Sequence, residues 1–250
     1  MPEAKTVILQ LQELLYSQGF GTRRVCAGLI QQGYVSVDGV PTRDATQEVE
    51  AVEGLPFEVQ GQAWRYHALA YVLLHKPAGT ECSHKPSAWP SIYTLLPAPL
   101  RQRPARTGLQ GVQAIGRLDQ DTTGMLLLSD DGQFIHRMAS PKHHVPKMYE
   151  VQTKHPFTEA QAQRLCDGVV LDDDPAPVRA AAAERVDEHH LRLTITEGKY
   201  HQVKRMVAAV GNRVEGLHRS RMGDLGLPND LAPGQWRWLS AEEVEGLRQR

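Results

Sequence analysis

Apolar positions at the start of the chain recur first with a helical period and then with a period of two. Val7, Leu11, Leu14 and Leu15 stand at helical spacing, and Gly19 follows as a stop. Thr22 is placed to cap a second helix that carries Val25, Leu29 and Ile30 on one face and ends at Gly33. Val35-Ser36-Val37 then alternates and runs into Asp38-Gly39, the residue pair a tight hairpin turn demands. Phe57-Glu58-Val59 alternates again, and the polar stretch 60–68 reads as a connector. Residues 1–62 therefore read as a small αα-β module, too short to house an enzyme's core.

Beyond Tyr66 strands outnumber helices. Tyr71–His75 and Gly124–Leu128 are continuous apolar runs of the kind a buried strand shows, the first halted by Lys76-Pro77. Residues 83–110, rich in Pro, Ser and Arg, read as a long loop. Tyr149–Thr153 and Leu191–Ile195 alternate. Thr158-x-x-Gln161 and Ser240-x-x-Glu243 are capping boxes, and His201–Val210 is helical up to Gly211. Strands and helices do not take regular turns, which favours an α+β fold with a mainly antiparallel mixed sheet over residues 66–250.

Composition narrows the class. In 250 residues, 41% apolar and 23% charged, no run reaches the roughly 18 apolar residues of a membrane span. The N-terminal stretch lacks a basic segment ahead of an apolar one, which argues against a secretory signal. Cys26, Cys82 and Cys166 lie too far apart for a local metal knuckle, and they suit a reducing cytoplasm. No P-loop or dinucleotide fingerprint is present, and no HExxH-type spacing that would favour a metal site.

The net charge of −1 excludes a uniformly basic coat, but the charges are unevenly spread. Basic residues gather in acid-poor clusters: Arg101, Arg103 and Arg106; then Arg137, Lys142 and Lys147 among three histidines; then Lys199 to Arg221. Such clusters suggest the footprint of a polyanion.

Three segments carry candidate chemistry. Gly116-Arg-Leu-Asp119-Gln-Asp121-Thr-Thr-Gly124 sets small and polar residues just ahead of a buried strand, where a loop can hold a carboxylate at a sheet rim. Lys147-Met-Tyr149-Glu-Val151 opens a strand with an aromatic beside the basic loop, where its ring can stack on a base. In Glu197-Gly-Lys-Tyr-His201-Gln-Val-Lys204-Arg-Met206, residues 203, 206, 207 and 210 make a buried stripe. His201 and Lys204 fall on its flank. A lysine there reaches a cleft with its ammonium, pairs with a carboxylate and keeps it ionised.

Together these segments resemble the RsuA-type branch of the ribosomal RNA pseudouridine synthases. GRLDQDTTG is similar to the family's catalytic-aspartate motif, KMYEV to its tyrosine motif, and EGKYHQVKRM with LHRSRMG to its C-terminal motifs. Leu74-His75-Lys76-Pro77-Ala78-Gly79 is similar to its strand-end signature, with His75 in place of Asn. The first 60 residues resemble an S4 RNA-binding module, which departs from the usual pattern in being acidic: five Lys/Arg against eight Asp/Glu over residues 1–65.

The resemblance implies Asp119 as the carboxylate that acts on the nucleotide, at the sugar or at the base, with Lys204 as its ionic partner. Tyr149 is implied to stack on the flipped uracil, and Leu217 to line the pocket. Arg117, Lys142, Lys147, Arg219 and Arg221 are expected to contact phosphate. The implied reaction, an isomerisation with no redox step and no group from outside, needs no cofactor. The implied substrate is ribosomal RNA: uridine 516 of 16S rRNA, free or in a small-subunit assembly intermediate, handled by a monomer. A 23S rRNA enzyme of the same branch and a non-catalytic rRNA-binding or assembly protein are the alternatives.

Overall fold

The computed structural model describes residues 6–106, 108–172 and 174–249. They form two compact units. One holds the described residues up to Ala70 together with Leu96–Gln113 and Ser129–Gly132; the other holds Tyr71–Leu95, Ala114–Leu128 and the chain from Gln133 onward.

In the first unit Val7 does not continue the first helix. Residues Val7–Gln10 form strand β1, and helix α1 is Leu11–Ser17. Val7 and Ile8 are β-branched and exposed, so no packing supports a further helical turn. Their backbone instead pairs antiparallel with Glu48–Ala51 (β4). Leu11, Leu14 and Leu15 are fully buried. Helix α2 (Arg23–Gln31) starts where expected, the Thr22 hydroxyl accepting from the Val25 N–H at 3.3 Å. Its buried residues are Cys26 and Ile30, while Val25 is exposed, so the inward stripe sits one position on from Val25.

Strands β2 (Val35–Val37) and β3 (Val40–Thr42) meet across Asp38-Gly39, both at positive φ (48° and 76°) as the primed hairpin turn requires. The expected connector after β5 (Pro56–Val59) is a strand instead, β6 (Gln62–Arg65), turning back over Gln60-Gly61. Only Trp64 of β6 faces inward, edge-on to Phe20 at 5.7 Å, so a polar composition masked the strand. The stretch 83–110 is likewise no single loop: it contains a 3-10 turn (Ile92–Leu95) and helix α3 (Ala98–Gln102). A Cβ on Gly19 would stand 2.0 Å from the Pro99 carbonyl oxygen, so glycine is what lets the end of α1 meet α3.

The second unit is built on β7 (Tyr71–Lys76), β8 (Gln113–Ala114), β9 (Thr123–Ser129), β10 (Lys147–Thr153), β11 (Val169–Leu171), β12 (Asp174–Val178), β13 (Ala182–Arg185), β14 (His190–Ile195), β15 (Val214–Met222), β16 (Leu225–Gly226) and β17 (Trp236–Trp238). Its helices are α4 (Gly132–Ala139), α5 (Glu159–Asp167), α6 (Gln202–Ala209) and α7 (Ala241–Arg248). The central sheet runs β13-β14-β10-β15-β9-β7-β17. Its described pairings are antiparallel except β15 with β9, which is parallel. The fold is thus α+β with a mostly antiparallel mixed sheet. Both expected capping boxes are present, at Thr158 and Ser240.

Two apolar cores serve this unit. One gathers Tyr149, Val151, Leu191, Leu193, Ile195 and the stripe Val203, Met206, Val207 and Val210. The other gathers Leu73, Ile115, Met125, Leu127, Phe134 and Met138. At the junction of β9 and β15, Gly124 (φ 108°) lies so close to Arg219 that a Cβ would fall 2.3 Å from its carbonyl oxygen. Glycine there admits this parallel contact and sets the loop ahead of β9 beside β15.

Candidate active site

The loop 116–122 ends on β9 and is pinned from below by Lys76, the last residue of β7. The Lys76 side chain is fully buried, and its ammonium donates to the carbonyls of Pro77 (3.1 Å), Gln120 (3.3 Å) and Thr122 (2.9 Å). Burial pushes its pKa below the ordinary lysine range, against the pull of Cys82, Asp121 and Asp119. Gly79 N–H donates to Gln120 O at 2.8 Å and Thr122 N–H to Asp119 O at 3.1 Å, so the backbone around Asp119 is held on both sides.

Helix α6 delivers the cation. Burial of residues 203, 206, 207 and 210 turns the flank of α6 toward that loop. Lys204 Nζ lies 2.9 Å from Asp119 Oδ2 and 2.8 Å from Asp121 Oδ1. His201, at positive φ (48°) just before α6, places Nε2 3.3 Å from Asp119 Oδ1. Each oxygen of Asp119 therefore has a nitrogen partner. Burial works against charge on both Lys204 and Asp121. The Lys204–Asp121 hydrogen bond and attraction outweigh it, with the Asp119 hydrogen bond and charge adding to the pull on Lys204, leaving the lysine pKa raised and the Asp121 pKa lowered.

The opposite wall comes from β10 and β15. Lys147, Tyr149, Leu217 and Arg219 line the same cleft as Arg117, Asp119 and Lys204, where the two cores meet. The cleft, its open mouth included, spans about 720 Å³. Tyr149 is buried to 7% exposure. Lys147 sits far enough in that burial, aided by the nearby Arg219 charge, pulls its pKa down to about 8.

Several expected phosphate contacts are placed differently. Arg219 is only 2% exposed; its Nε donates to Met125 O at 2.8 Å, and Nη1 approaches the Tyr149 hydroxyl at 3.4 Å. It backs Tyr149 instead of facing solvent. Arg221 is exposed and outside the cleft lining. A bulge explains why: Tyr149 pairs with Arg219 but Met148 with Arg221, and the extra residue turns Arg221 to the other face. Lys142 is exposed on the 3-10 turn Pro141–His143 and is also outside the lining, whereas Arg117 is exposed at its rim. Arg103, grouped by sequence with a surface basic cluster, is fully buried in the first unit.

Sequence reasoning missed Lys76 and His201 as members of the site. Lys76 read as a strand stop within the strand-end signature and was given no task, although a lysine ending a buried strand needs acceptors. His201 read as part of the helix and without a partner, whereas it stands in the turn just before α6. Among the described residues no group of three or more His, Cys, Asp or Glu converges as a metal site, and no helix is long and apolar enough to cross a membrane.

Comparison with known proteins bears on this arrangement. Residues 70–209 match the model of the RNA pseudouridylate synthase family, and residues 10–53 match the S4 domain. The chain is 38% identical over 236 residues to "Ribosomal small subunit pseudouridine synthase A" of Pasteurella multocida, covering 94% of this chain and 98% of the relative. It is also 38% identical over 232 residues to the Escherichia coli K12 protein of that name, covering 92% and 96%. A crystal structure described as a pseudouridylate synthase superposes with a TM-score of 0.66 at 34% identity, covering 96% of this chain and 99% of the other.

Proposed function

The chain belongs to the RNA pseudouridylate synthase family and is a pseudouridine synthase, and from that premise we propose that it isomerises uridine 516 of 16S rRNA with Asp119 as the acting carboxylate. The observation that carries the reading is the Asp119–Lys204 contact at 2.9 Å inside a cleft walled by Tyr149 and Leu217. The small-subunit target is supported by the names of its 38% identical relatives.

The reaction breaks the N1–C1′ bond, turns the uracil and forms C1′–C5. The proton lost from C5 balances the one gained at N1, so no outside reagent is consumed. A carboxylate beside C1′ and C6 serves as nucleophile or stabilises the developing cation. Lys204 holds the Asp119 carboxylate in an ion pair at 2.9 Å, and Lys76 fixes its loop. Tyr149 lies along the base and helps remove the C5 proton, passing its own hydroxyl proton on toward N1 as it accepts the new one, with the buried Arg219 guanidinium steadying its hydroxyl. The uridine leaves its stack to reach Asp119, at a cost of a few kcal/mol that phosphate contacts at Arg117 and Lys147 offset. The S4 domain supplies further RNA contact, and the protein acts as a monomer in the cytoplasm.

Mapping pseudouridine in 16S and 23S rRNA from cells with and without this protein tests the reading. One modification at uridine 516 that depends on the protein is the expected result. A dependent site in 23S rRNA, or none, overturns it.

Lys147 gives a second test. With its pKa near 8, raising the pH from 7 to 9 removes its charge, so RNA binding weakens over that window and takes up a proton near pH 8. Lys147→Arg, which stays charged, is expected to bind equally at pH 7 and 9 in fluorescence anisotropy. Wild-type binding that does not change between pH 7 and 9 removes Lys147 from the phosphate contacts. For folding the sign is opposite. The lowered pKa means that stability rises with pH between about 8 and the unfolded lysine value, because there the unfolded chain binds more protons.

A further inference from the structure

Ahead of α6 the chain makes a tight turn with no assigned task. Tyr200 is 70% exposed, and its ring stacks on that of His201 at 3.8 Å and 21°. A single exposed aromatic is ordinary; this one is mounted. Lys199 N–H donates to the side chain of the buried Gln202 at 2.8 Å, and Arg205 Nη1 donates to Tyr200 O at 3.2 Å. His201 is held at φ 48°, a conformation that costs a residue with a side chain about 1 kcal/mol or more. That conformation accompanies the face-to-face ring stack and the contact of His201 Nε2 with Asp119.

We infer that the Tyr200–His201 ring pair is a nucleobase-stacking subsite beside the Asp119 cleft, which takes an unpaired base flanking the target uridine. The inference rests on the reading of RNA as substrate. One face of Tyr200 is backed by His201, and the other is open. A rigid ring with a free face binds bases without regard to sequence, and at low entropic cost. When the target uridine flips out, its neighbour loses a stacking partner. A platform one residue away from the histidine that touches Asp119 replaces that partner and fixes the strand in register with the carboxylate. Lys199 and Arg205 border the platform, where the backbone of such a strand would run.

Tyr200→Ala and Tyr200→Phe decide the matter, measured for KM and kcat on a 16S rRNA fragment. Binding of a single-stranded oligouridylate is measured in parallel. Tyr200→Ala is expected to raise KM and Kd about tenfold with kcat within about twofold. Its thermal midpoint stays unchanged, because the ring is exposed. Tyr200→Phe retains wild-type values. An alanine variant that binds like the wild type overturns the inference, as does a phenylalanine variant as weak as alanine, which would assign the effect to the hydroxyl. If the wild type modifies no uridine in the fragment, the target reading fails, and the oligouridylate comparison still decides the platform.

Discussion

Asp119→Asn is expected to bind ribosomal RNA with near wild-type affinity and to form no pseudouridine detectable by carbodiimide mapping. The substitution keeps the shape of the side chain and an oxygen for the Lys204 ammonium, now 2.9 Å from Asp119 Oδ2. It removes the negative charge that the chemistry requires at the sugar or the base. Arg117 and Lys147, the proposed phosphate contacts, are separate side chains of the cleft, so affinity has no reason to fall. Lys204→Ala is the companion. It leaves Asp119 with only the His201 contact at 3.3 Å and leaves Asp121 without its ammonium. Turnover should drop by about a hundredfold or more while affinity changes little, the pattern of an interaction that matters in the transition state. Appreciable turnover by Asp119→Asn would show that another group acts on the nucleotide. A tenfold loss of affinity at unchanged turnover in Lys204→Ala would make Lys204 a plain phosphate contact.

Arg103→Ala is expected to cost about 3–5 kcal/mol of stability, read as a lower urea midpoint for the transition that includes the first unit. Arg103 and Asp130 are 0% and 2% exposed and meet at 2.7 Å. The guanidinium also donates to Gln18 Oε1 (3.1 Å) and to the carbonyls of His67 (2.9 Å) and Ala68 (3.2 Å). Asp130 Oδ1 accepts from Ala70 N–H at 2.7 Å. One buried cation thus ties the end of α1, the stretch after β6, α3 and the segment after β9. Truncation strips the buried carboxylate of its closest cation and the Ala68 carbonyl of its donor, leaving Asp130 with the Ala70 N–H and Arg106 at 3.7 Å, which costs more than the net worth of the pair. Replacing both partners, as Arg103→Met with Asp130→Leu, should recover part of the loss. A single alanine variant as stable as the wild type would mean that water reaches this cluster.

The elements most legible in the chain were those set by neighbours a few residues apart. Thr22, Thr158 and Ser240 cap helices through hydrogen bonds to the third residue on, and Asp38-Gly39 turns a hairpin through its own positive φ. The stripe 203–210 follows from helical pitch alone, and with it the flank that carries Lys204. The pairing of the second-unit motifs was legible too, because an aspartate loop, a tyrosine strand and a lysine helix in that order form a recognisable set.

What remained hidden depends on partners distant in sequence. Nothing near Arg103 announces Asp130, and a local count of charge put it on the surface with Arg101 and Arg106. Lys76 looked like a strand stop until the carbonyls of the Asp119 loop came to rest on its ammonium. A one-residue bulge between β10 and β15 separated Arg219, buried behind Tyr149, from Arg221, turned to the other face, although the two are near neighbours in the same motif. The sequence by itself determined the capped helices, the hairpin turn and the chemical inventory, because capping, backbone preference and periodicity act over one or two turns of chain. Only the tertiary structure decided which charges are sunk into the protein and which face the cleft, because burial and ion pairing are settled by whichever remote segment packs alongside.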